Sequence, residues 1–558
     1  MQHFDAVIVG SGFGGSVMAY RLAEAGWSVC LLERGRVYPP GSFPRSPRQM
    51  ANNFWDPSKA SYGLYNIWSF GGLEALVSAG LGGGSLIYAN VLLRKDEKWF
   101  VRGGDQGYAP WPMSRAELDP HYDRVERMLA PQVFPIDREP YASVPKTQAL
   151  KHAAEQLGLD WQLPPLAVTF AGPGEDPVPG EPIVERPNMH GRTRLTCRLC
   201  GECNIGCNYG SKNTLDYNYL TEAQSLGVDI RTLCEVRDFA PVAGGGYTVR
   251  YVQHEPDVPR EQTGGKYLEH IELSATHLVL SAGALGSTFL LMKNRDRLPA
   301  LGDSLGTRFC DNGDLITFLL RARETVDGKK RGRELFPDHG PVITSAIRVP
   351  DSLDGGDGPG FYIEDSGYPS FASWMFQESD APGEVLRFTR FAGERMWDRL
   401  TGNAETNLAG ELAGLWGDSD LSSTTLPLLG MGRDNPNGKM RLEDGLLEID
   451  WVLEDSRPYF ERVRNTMHDI AATLEADFVD NPIWYLNRVI TVHPLGGVPM
   501  GRDATEGVVD SFGEVFGHPG LHVADGSVMP GPVGANPSLT IAALADRFAE
   551  RMVERGRT

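Results

Sequence analysis

The sequence predicts an α/β fold with more than one domain. Three observations support this: a strand–turn–helix–strand unit at residues 4–33, later segments with a similar succession, and a length of 558 residues. A single hydrophobic core does not organise a chain of this length, since domains average about 150 residues. The composition is that of a packed globular protein, with 41% hydrophobic and 23% charged residues. We therefore expect a domain with a parallel sheet and at least one further domain.

The N-terminal unit contains an apolar strand at residues 4–9, a glycine-rich turn, a helix and a second strand at residues 28–33. The helix is predicted to run to about Ala25, and Gly26 ends it. The turn has the spacing G-x-G-x-x-G. That spacing alone is weak, but between a strand and a helix it is typical of a Rossmann-like dinucleotide-binding domain.

Each glycine of this turn has a predicted role. Gly10 allows the tight turn, Gly12 lets the backbone approach a pyrophosphate, and Gly15 lets the helix pack closely on the strand. The amides and dipole at the helix N-terminus would bind the phosphates. Glu33 is predicted to bind the ribose hydroxyls, and its charge disfavours a 2′-phosphate. The alternative is that Glu33 is only a solvated strand end.

Three later segments are predicted to complete the same domain. They are a glycine-rich loop at residues 82–90, a strand at 277–281 with a turn at 282–287 and a helix at 288–293, and a strand at 521–524 followed by a closing helix that ends near Arg551. The predicted nucleotide-binding domain is therefore discontinuous and comprises residues 1–95, 190–325 and 480–558. A second domain, predicted to cover the bound cofactor, comprises residues 96–189 and 326–479.

The net charge of −20 opposes binding to nucleic acid or to anionic membranes, both of which need a basic surface. The first strand follows Met1 almost directly, without the basic and apolar regions of a secretory signal. The sequence has no uninterrupted apolar stretch of about 18 residues, as a membrane-spanning helix would need. We expect a cytoplasmic protein with no integral membrane segment and no nucleic-acid partner.

Several motifs follow one another along the whole chain: residues 82–90, Trp111-Pro112 with residues 119–123, and residues 283–288, 493–497 and 525–537. In this order they resemble the glucose–methanol–choline oxidoreductase family, and within it the cholesterol oxidase-like branch. The resemblance implies FAD as cofactor, oxidation of a small-molecule alcohol, and a substrate domain with a mainly antiparallel β-sheet and covering helices. Some members bind flavin covalently through a histidine near the glycine loop. Because no histidine lies between His3 and His121, we expect non-covalent FAD.

The motifs and the resemblance together give a set of candidate FAD-binding residues. They are Gly10, Gly12, Phe13, Gly14, Gly15, Glu33, Arg34, Gly83, Gly84, Ser85, Tyr88, Ala89, Asn90, Val236, Ala282, Gly283, Asp525, Gly526, Asn536 and Pro537.

Two residues are the catalytic candidates. His493, before Pro494, matches the family's active-site histidine, and an imidazole can accept the hydroxyl proton near neutral pH while the carbon gives up hydride. Asn536 can donate a hydrogen bond to the substrate oxygen, and Pro537 and Ser538 open a helix whose dipole favours negative charge there. The alternatives are a structural histidine in the core and an asparagine that only caps the helix.

A carboxylate also lies in the substrate pocket of cholesterol oxidases. Glu364 and Asp365 lie in a suitable region of the chain. For these two residues we nevertheless favour a solvated pair in a loop.

Four of the seven cysteines fall within eleven residues. Their spacing is C-x2-C-x2-C-x3-C, the arrangement with which bacterial ferredoxins bind iron–sulfur clusters. Asn208 stands where the ferredoxin motif has proline, so the cluster type, [3Fe-4S] or [4Fe-4S], stays open. The cysteines of the segment at residues 197–207 are Cys197, Cys200, Cys203 and Cys207.

Structural zinc, disulfides and plain buried thiols are the alternatives for these cysteines. The cluster is favoured because sugar dehydrogenases of the same family resemble this chain in carrying a cysteine-rich, cluster-bearing insertion. Electrons would then leave FAD one at a time towards an external acceptor.

The leading prediction is an FAD-dependent dehydrogenase that oxidises a hydroxyl of a bulky, largely apolar, steroid-like substrate and passes electrons through the cluster. The second is an oxidase that uses O2 and releases H2O2, with structural cysteines. The third is a non-catalytic electron-transfer protein, which the presence of both His493 and Asn536 disfavours.

Overall fold

A computed structural model describes residues 1–46, 49–50, 52–101, 110–256, 268–368 and 423–556. Parts of the predicted domains therefore lie outside the described residues. The largest of these is the stretch 369–422 of the predicted substrate domain.

A seven-stranded sheet forms the nucleotide-binding side of the molecule. Strand Gln2–Val9 lies at its centre and pairs in parallel with two neighbours, so that Val7 is opposite both Cys30 and Leu278. The central strands are apolar on both faces and belong to the largest buried hydrophobic cluster, and helix Phe13–Glu24 packs against two of them. The strands, in spatial order, are Asp229–Arg231, Val29–Leu32, Gln2–Val9, His270–Leu280, Tyr247–Gln253 and Cys234–Pro241, with Leu521–Val523 paired in parallel to His270–Leu280.

A second sheet is antiparallel throughout and has its own hydrophobic core. Two of its strands, Phe361–Asp365 and Leu426–Gly432, are buried along their whole length. Helices Pro145–Leu157 and Arg457–Thr473 pack against this sheet and against each other. Its strands, in spatial order, are Asp477–Asp480, Leu315–Leu320, Leu426–Gly432, Phe361–Asp365, Ala346–Val349 and Asp160–Gln162.

The described residues also form several smaller sheets. A three-stranded sheet consists of Tyr65–Ser69, Leu73–Ser78 and Val489–Thr491. Two-stranded sheets pair Trp55–Asp56 with Ser61–Tyr62, Gln132–Val133 with Pro165–Leu166, Arg323–Val326 with Lys329–Gly332, and Lys439–Glu443 with Leu446–Asp450.

Local sequence fixes the start of one main helix. Ser114 and Glu117 form a capping box at the start of helix Arg115–Leu129, each side chain accepting the other residue's amide hydrogen. The closing helix, Ser538–Gly556, packs against helix Phe13–Glu24 and against Arg115–Leu129. The described part of the chain also contains the α-helices Tyr219–Ser225 and Gly283–Lys293. No helix within the described ranges combines the length and the apolar character that crossing a bilayer requires.

The predicted fold class is confirmed, with a Rossmann-like domain and a mainly antiparallel second sheet covered by helices. The exact domain boundaries stay a prediction. One element differs: the helix expected at residues 288–293 begins at Gly283. The glycines suggested a longer turn, but the buried Asp525 carboxylate accepts the Gly283 amide hydrogen and compensates for their low helix propensity.

Candidate active site

The glycine-rich turn lies against the ends of three strands. A Cβ atom added to Gly10 would lie 2.2 Å from the Ser281 carbonyl oxygen, and one added to Gly14 would lie 1.5 Å from the Ala524 carbonyl oxygen. Gly10 also has a φ of +100°, which favours glycine. The turn therefore depends on glycine for reasons internal to the protein.

Gly12 differs from its neighbours. A Cβ atom at Gly12 would meet no atom of the described chain within 4 Å, so the space beside it is open. Gly12 begins helix Phe13–Glu24 without a side-chain cap, which leaves its first amides available to an anion. This is the arrangement expected for pyrophosphate binding.

Glu33 is 5% exposed and so is not the solvated strand end considered above. Its carboxylate accepts hydrogen bonds from the Ser11 amide (3.1 Å), the Ser11 hydroxyl (2.6 Å) and the Gly35 amide (2.8 Å). A carboxylate offers about four acceptor sites, so one is left for a ribose hydroxyl. The role of Glu33 in ribose binding stays a prediction.

The loop at residues 82–90 packs directly on the glycine turn. The Ser11 hydroxyl accepts the Gly82 amide hydrogen at 3.0 Å, and a Cβ atom on Gly83 would lie 2.6 Å from the Gly12 Cα. Asn90 is fully buried with a φ of +74°, and neither polar atom of its side chain has a partner among the described residues. The Tyr88 hydroxyl is buried without a partner in the same sense. Unpaired buried polar groups are costly, so these residues fit a bound flavin that would satisfy them.

Most of the other candidate FAD-binding residues are held by contacts within the protein. Arg34 donates to the Asn66 side chain at 3.0 Å, and Val236 is at a bulge in the strand that starts beside Glu33. Gly84 faces open space, and the Ser85 hydroxyl donates to the Gly82 carbonyl at 2.7 Å. The Ala282 amide donates to the Ser287 hydroxyl, Gly526 borders Leu495, and the Pro537 carbonyl accepts the Ile541 amide hydrogen in the closing helix. Phe13 contacts Tyr88, and Ala89 lies beside it in the loop.

His493 is held by Asp314. Its Nδ1 lies 2.7 Å from the Asp314 Oδ1. The other carboxylate oxygen accepts the amide hydrogens of Val492 (2.8 Å) and His493 (3.0 Å) and the Thr491 hydroxyl (3.1 Å). The two backbone amides can only donate, so the Asp314 carboxylate serves as an acceptor for them and for the Nδ1 hydrogen of His493. Nδ1 of His493 therefore carries the hydrogen, and Nε2 keeps its lone pair.

Asn536 contacts Glu364 and no other described side chain by hydrogen bond. Its Nδ2 donates to the Glu364 Oε2 at 3.4 Å, and its own Oδ1 is buried without a partner in the described chain. Asn536 thus keeps a second N–H available. An asparagine that only caps the helix would direct its oxygen to a backbone amide, and Asn536 makes no such bond.

The prediction that Glu364 and Asp365 form a solvated pair in a loop is wrong. Both are fully buried on strand Phe361–Asp365. Asp365 is 3.2 Å from the buried ammonium of Lys146 and accepts the Thr344 and Ser345 amide hydrogens. Burial raises the pKa of Glu364 to about 8, with the nearby Asp365 and Asp314 carboxylates adding to this. The two charged residues suggested an exposed loop, because the apolar run before them is too short to predict a buried strand from sequence.

The turn at residues 312–314 connects the two catalytic candidates, His493 and Asn536. Asp314 holds His493, while Asn312, two residues earlier, accepts the Gly534 amide hydrogen (2.9 Å) and donates to the Ala535 carbonyl (3.0 Å), just before Asn536. Sequence reasoning missed this turn. The Asn312-Gly313 dipeptide is a turn signal, but nothing local indicates which distant segments it holds.

Two further acids are buried beside this turn. Asp434 Oδ2 accepts the Asp311 amide hydrogen at 3.2 Å, and both carboxyls are essentially inaccessible to solvent. Burial and their mutual proximity raise the pKa of Asp311, and burial raises that of Asp434. A proton on one of them removes the repulsion between them.

The four clustered cysteines line one cavity together with Lys212, Gly340 and Pro341. All are free thiols, so the disulfide alternative has no support in the structure. Burial, with the neighbouring thiols, raises the pKa of Cys197. No three His, Cys, Asp or Glu side chains in the described ranges are arranged around a single metal ion. The iron–sulfur cluster therefore stays a prediction, which rests on the spacing of four cysteines that line one cavity.

Comparisons with known proteins identify the family of this chain. A family model described as GMC oxidoreductase matches residues 442–545, and one described as FAD dependent oxidoreductase matches residues 5–158. A cholesterol oxidase of Mycobacterium tuberculosis is 31% identical over 100% of this chain and 92% of its own length. The chain belongs to the GMC oxidoreductase family. As a member, it is an FAD-dependent oxidoreductase acting on CH–OH groups, so the alternative of a non-catalytic electron-transfer protein does not hold.

Two further proteins extend the comparison. A cholesterol oxidase of Acinetobacter baumannii is 27% identical over 98% of this chain and 93% of its own length. The crystal structure of pyridoxine 4-oxidase from Mesorbium loti superposes with a TM-score of 0.56 at 17% identity, covering 98% of each chain. At this identity the structure supports the fold alone.

Proposed function

We propose that this GMC oxidoreductase is a dehydrogenase that oxidises a hydroxyl of a bulky, largely apolar, steroid-like alcohol. Non-covalent FAD would accept the electrons, and an iron–sulfur cluster would pass them to an external acceptor. The observation that carries the proposal is the pairing of two oriented side chains, His493 held by Asp314 and Asn536 beside Glu364, tied together by one buried turn.

The chain's own residues divide the work of alcohol oxidation. Bound FAD supplies a hydride acceptor for the carbon that bears the hydroxyl. Nε2 of His493 accepts the hydroxyl proton, because Asp314 fixes the hydrogen on Nδ1 and stabilises the imidazolium that forms. The free N–H of Asn536 donates to the substrate oxygen as negative charge develops on it. Glu364, neutral at pH 7, holds Asn536 in place without adding a repelling charge.

FAD would be held by the glycine turn, the loop at residues 82–90 and the start of the closing helix. Gly12 and Gly84 leave open space, and Asn90 has unpaired polar atoms for the flavin. The steroid-like substrate class rests on the two cholesterol oxidases among the relatives.

The cluster proposal rests on the spacing of four thiols and on where they lie. Gly340, which lines the cysteine cavity, exchanges backbone hydrogen bonds with Leu199 and Gly201. The Lys146 ammonium donates to the Pro341 carbonyl at 2.7 Å and lies 3.2 Å from Asp365, next to Glu364 in sequence. The cysteine cavity is therefore connected through one lysine to the strand that carries Glu364.

The test is anaerobic reconstitution with iron and sulfide, followed by EPR spectroscopy of the oxidised and reduced protein. We expect a cluster signal that Cys200→Ser reduces or abolishes. Cys234→Ser, a change at a cysteine outside the motif, should leave it intact. A protein with flavin absorption and no cluster signal in either redox state would refute the cluster.

A second candidate is an oxidase that transfers the electrons to O2, because both curated relatives cited above are named cholesterol oxidase. In that case the four thiols are structural. One H2O2 released per alcohol oxidised, with no cluster signal, would favour this function over the dehydrogenase.

A further inference from the structure

Lys212 is a buried residue that joins the cysteine segment at residues 197–207 to the flavin loop, which is the loop at residues 82–90 that is predicted to bind FAD. Its ammonium donates to the Cys203 carbonyl at 2.9 Å, to the Tyr88 carbonyl at 2.8 Å and to the Leu86 carbonyl at 3.2 Å. Three acceptors use all three hydrogens of the ammonium form, whereas a neutral amine has only two. These acceptors suit the ammonium form, which predominates at pH 7 even though burial lowers the pKa of Lys212 to about 8.

This charge is unusual in its surroundings. Lys212 is 1% exposed, and no carboxylate within the described ranges forms an ion pair with it. Burying a cation without an anionic partner is costly, and three carbonyl dipoles compensate only in part. A negatively charged group in the adjacent cavity, which Lys212 lines, would supply the missing partner.

Two aromatic rings, those of Tyr88 and Phe13, lie between Lys212 and the glycine-rich turn. The ammonium lies 4.8 Å from the centre of the Tyr88 ring, and this ring meets the Phe13 ring edge to face at 5.4 Å. The short helices Gly83–Leu86 and Cys203–Ile205 also pack together. The cysteine cavity and the flavin loop are thus direct neighbours, and Lys212 lies between them.

We propose that Lys212 raises the reduction potential of an iron–sulfur cluster held by the four cysteines, so that the cluster can take electrons from the flavin site. This rests on the proposed cluster. A thiolate-bound cluster is negatively charged, and each electron that it accepts adds one more negative charge. A buried cation nearby stabilises the reduced form more than the oxidised form.

Each alcohol gives up two electrons with its hydride and one proton to His493, yielding the carbonyl product. The two electrons would pass through the cluster one at a time to two equivalents of a one-electron acceptor, and the proton that the hydride carried would be released to solvent. Lys212 changes no bond in this sequence; it acts through its charge and through the two segments that it holds.

The experiment is an EPR-monitored redox titration of the FAD-loaded, reconstituted protein, comparing wild type with Lys212→Met. We expect at least a tenfold smaller equilibrium constant for cluster reduction, which is about 59 mV for one electron. Lys151→Met, which removes a charge from an exposed helix position, is the matched control and should leave the potential unchanged. Lys212→Gln keeps two donors without the charge and should shift the potential in the same direction if Lys212→Met does not fold.

The outcomes separate the two proposals. A cluster signal in wild type with the same potential in Lys212→Met or Lys212→Gln would overturn the role of Lys212 and leave the cluster standing. No cluster signal in wild type would overturn both. A shift that Lys151→Met reproduces would also contradict a specific role for Lys212.

Discussion

Nδ1 of His493 lies 2.7 Å from a carboxylate oxygen of Asp314, whose other oxygen accepts three further hydrogen bonds. This contact determines which imidazole nitrogen can act as a base. The two residues are 179 positions apart, so only the fold brings them together.

The first prediction concerns this pair. Asp314→Asn replaces an obligate acceptor with a side chain that can donate to Nδ1, which would move the hydrogen to Nε2. We expect kcat to fall on the order of 10²-fold with little change in KM, because the base and not substrate binding is affected. Steady-state kinetics across a pH series checks this. The control is Asp444→Asn, an exposed turn position with a φ of 50° that asparagine accepts. An unchanged kcat in Asp314→Asn would show that His493 needs no orienting partner.

The second prediction concerns Glu364. Its pKa of about 8 lies above its ordinary value of 4.5, so the carboxyl is neutral at pH 7 and ionises as the pH passes about 8. Ionisation places a charge beside Asn536 and should lower activity. Glu364→Gln mimics the neutral form, so we expect activity near that of wild type at pH 7 and loss of the decline near pH 8. The profile of kcat/KM against pH tests this. A decline that persists in the variant belongs to another group.

The same shift affects stability. A folded-state pKa above the unfolded value contributes stability that is fully present below about pH 4.5 and is lost as the pH rises through about 8. Melting temperatures of wild type and Glu364→Gln should therefore diverge as the pH rises, with the variant more stable on the alkaline side.

The third prediction contrasts two glycines of the same turn. Gly12→Ala has room for its methyl group within the protein but places it in the proposed pyrophosphate space, whereas Gly14→Ala collides with the Ala524 carbonyl. We expect Gly12→Ala to fold and to bind FAD at least tenfold more weakly, and Gly14→Ala to misfold. Circular dichroism and flavin titration of the apoproteins distinguish these outcomes. Normal FAD affinity in Gly12→Ala would contradict the assigned binding mode.

The fourth prediction concerns Asp311 and Asp434, the two buried acids beside the turn at residues 312–314. Burial raises the pKa of both Asp311 and Asp434, so the pair stabilises the fold while it keeps a proton and loses that contribution as the pH rises. Asp311→Asn supplies an amide that needs no proton. Its melting temperature, relative to wild type, should rise as the pH increases from about 4 through about 6 and beyond. A constant difference across this range would mean that the two acids do not share a proton.

The N-terminal unit was predictable because strand, turn and helix are adjacent in sequence. Gly10, Gly12 and Glu33 follow a pattern whose spacing reflects local geometry, and the structure differs from it by only one or two residues at the strand and helix ends. The GMC family was also predictable, since its motifs persist in order along the chain.

The support around the catalytic candidates was not predictable. Asp314 and Asn312 act on segments more than 170 residues away, and no local pattern reveals such contacts. Glu364 appeared solvated because charged residues are usually exposed, and only the sheet shows that both faces of its strand are covered. Lys212 carried no sequence signal, because its significance lies in the three carbonyl groups around it.

The most direct test of the account is an anaerobic stopped-flow measurement of flavin bleaching. FAD-loaded wild type and His493→Gln are mixed with a sterol alcohol and with a long-chain alcohol. We predict that at least one alcohol bleaches the flavin band in wild type, and that His493→Gln slows this step by about 10²- to 10⁴-fold. Bleaching at the same rate in both proteins would contradict the central claim that His493 takes the proton as the alcohol is oxidised.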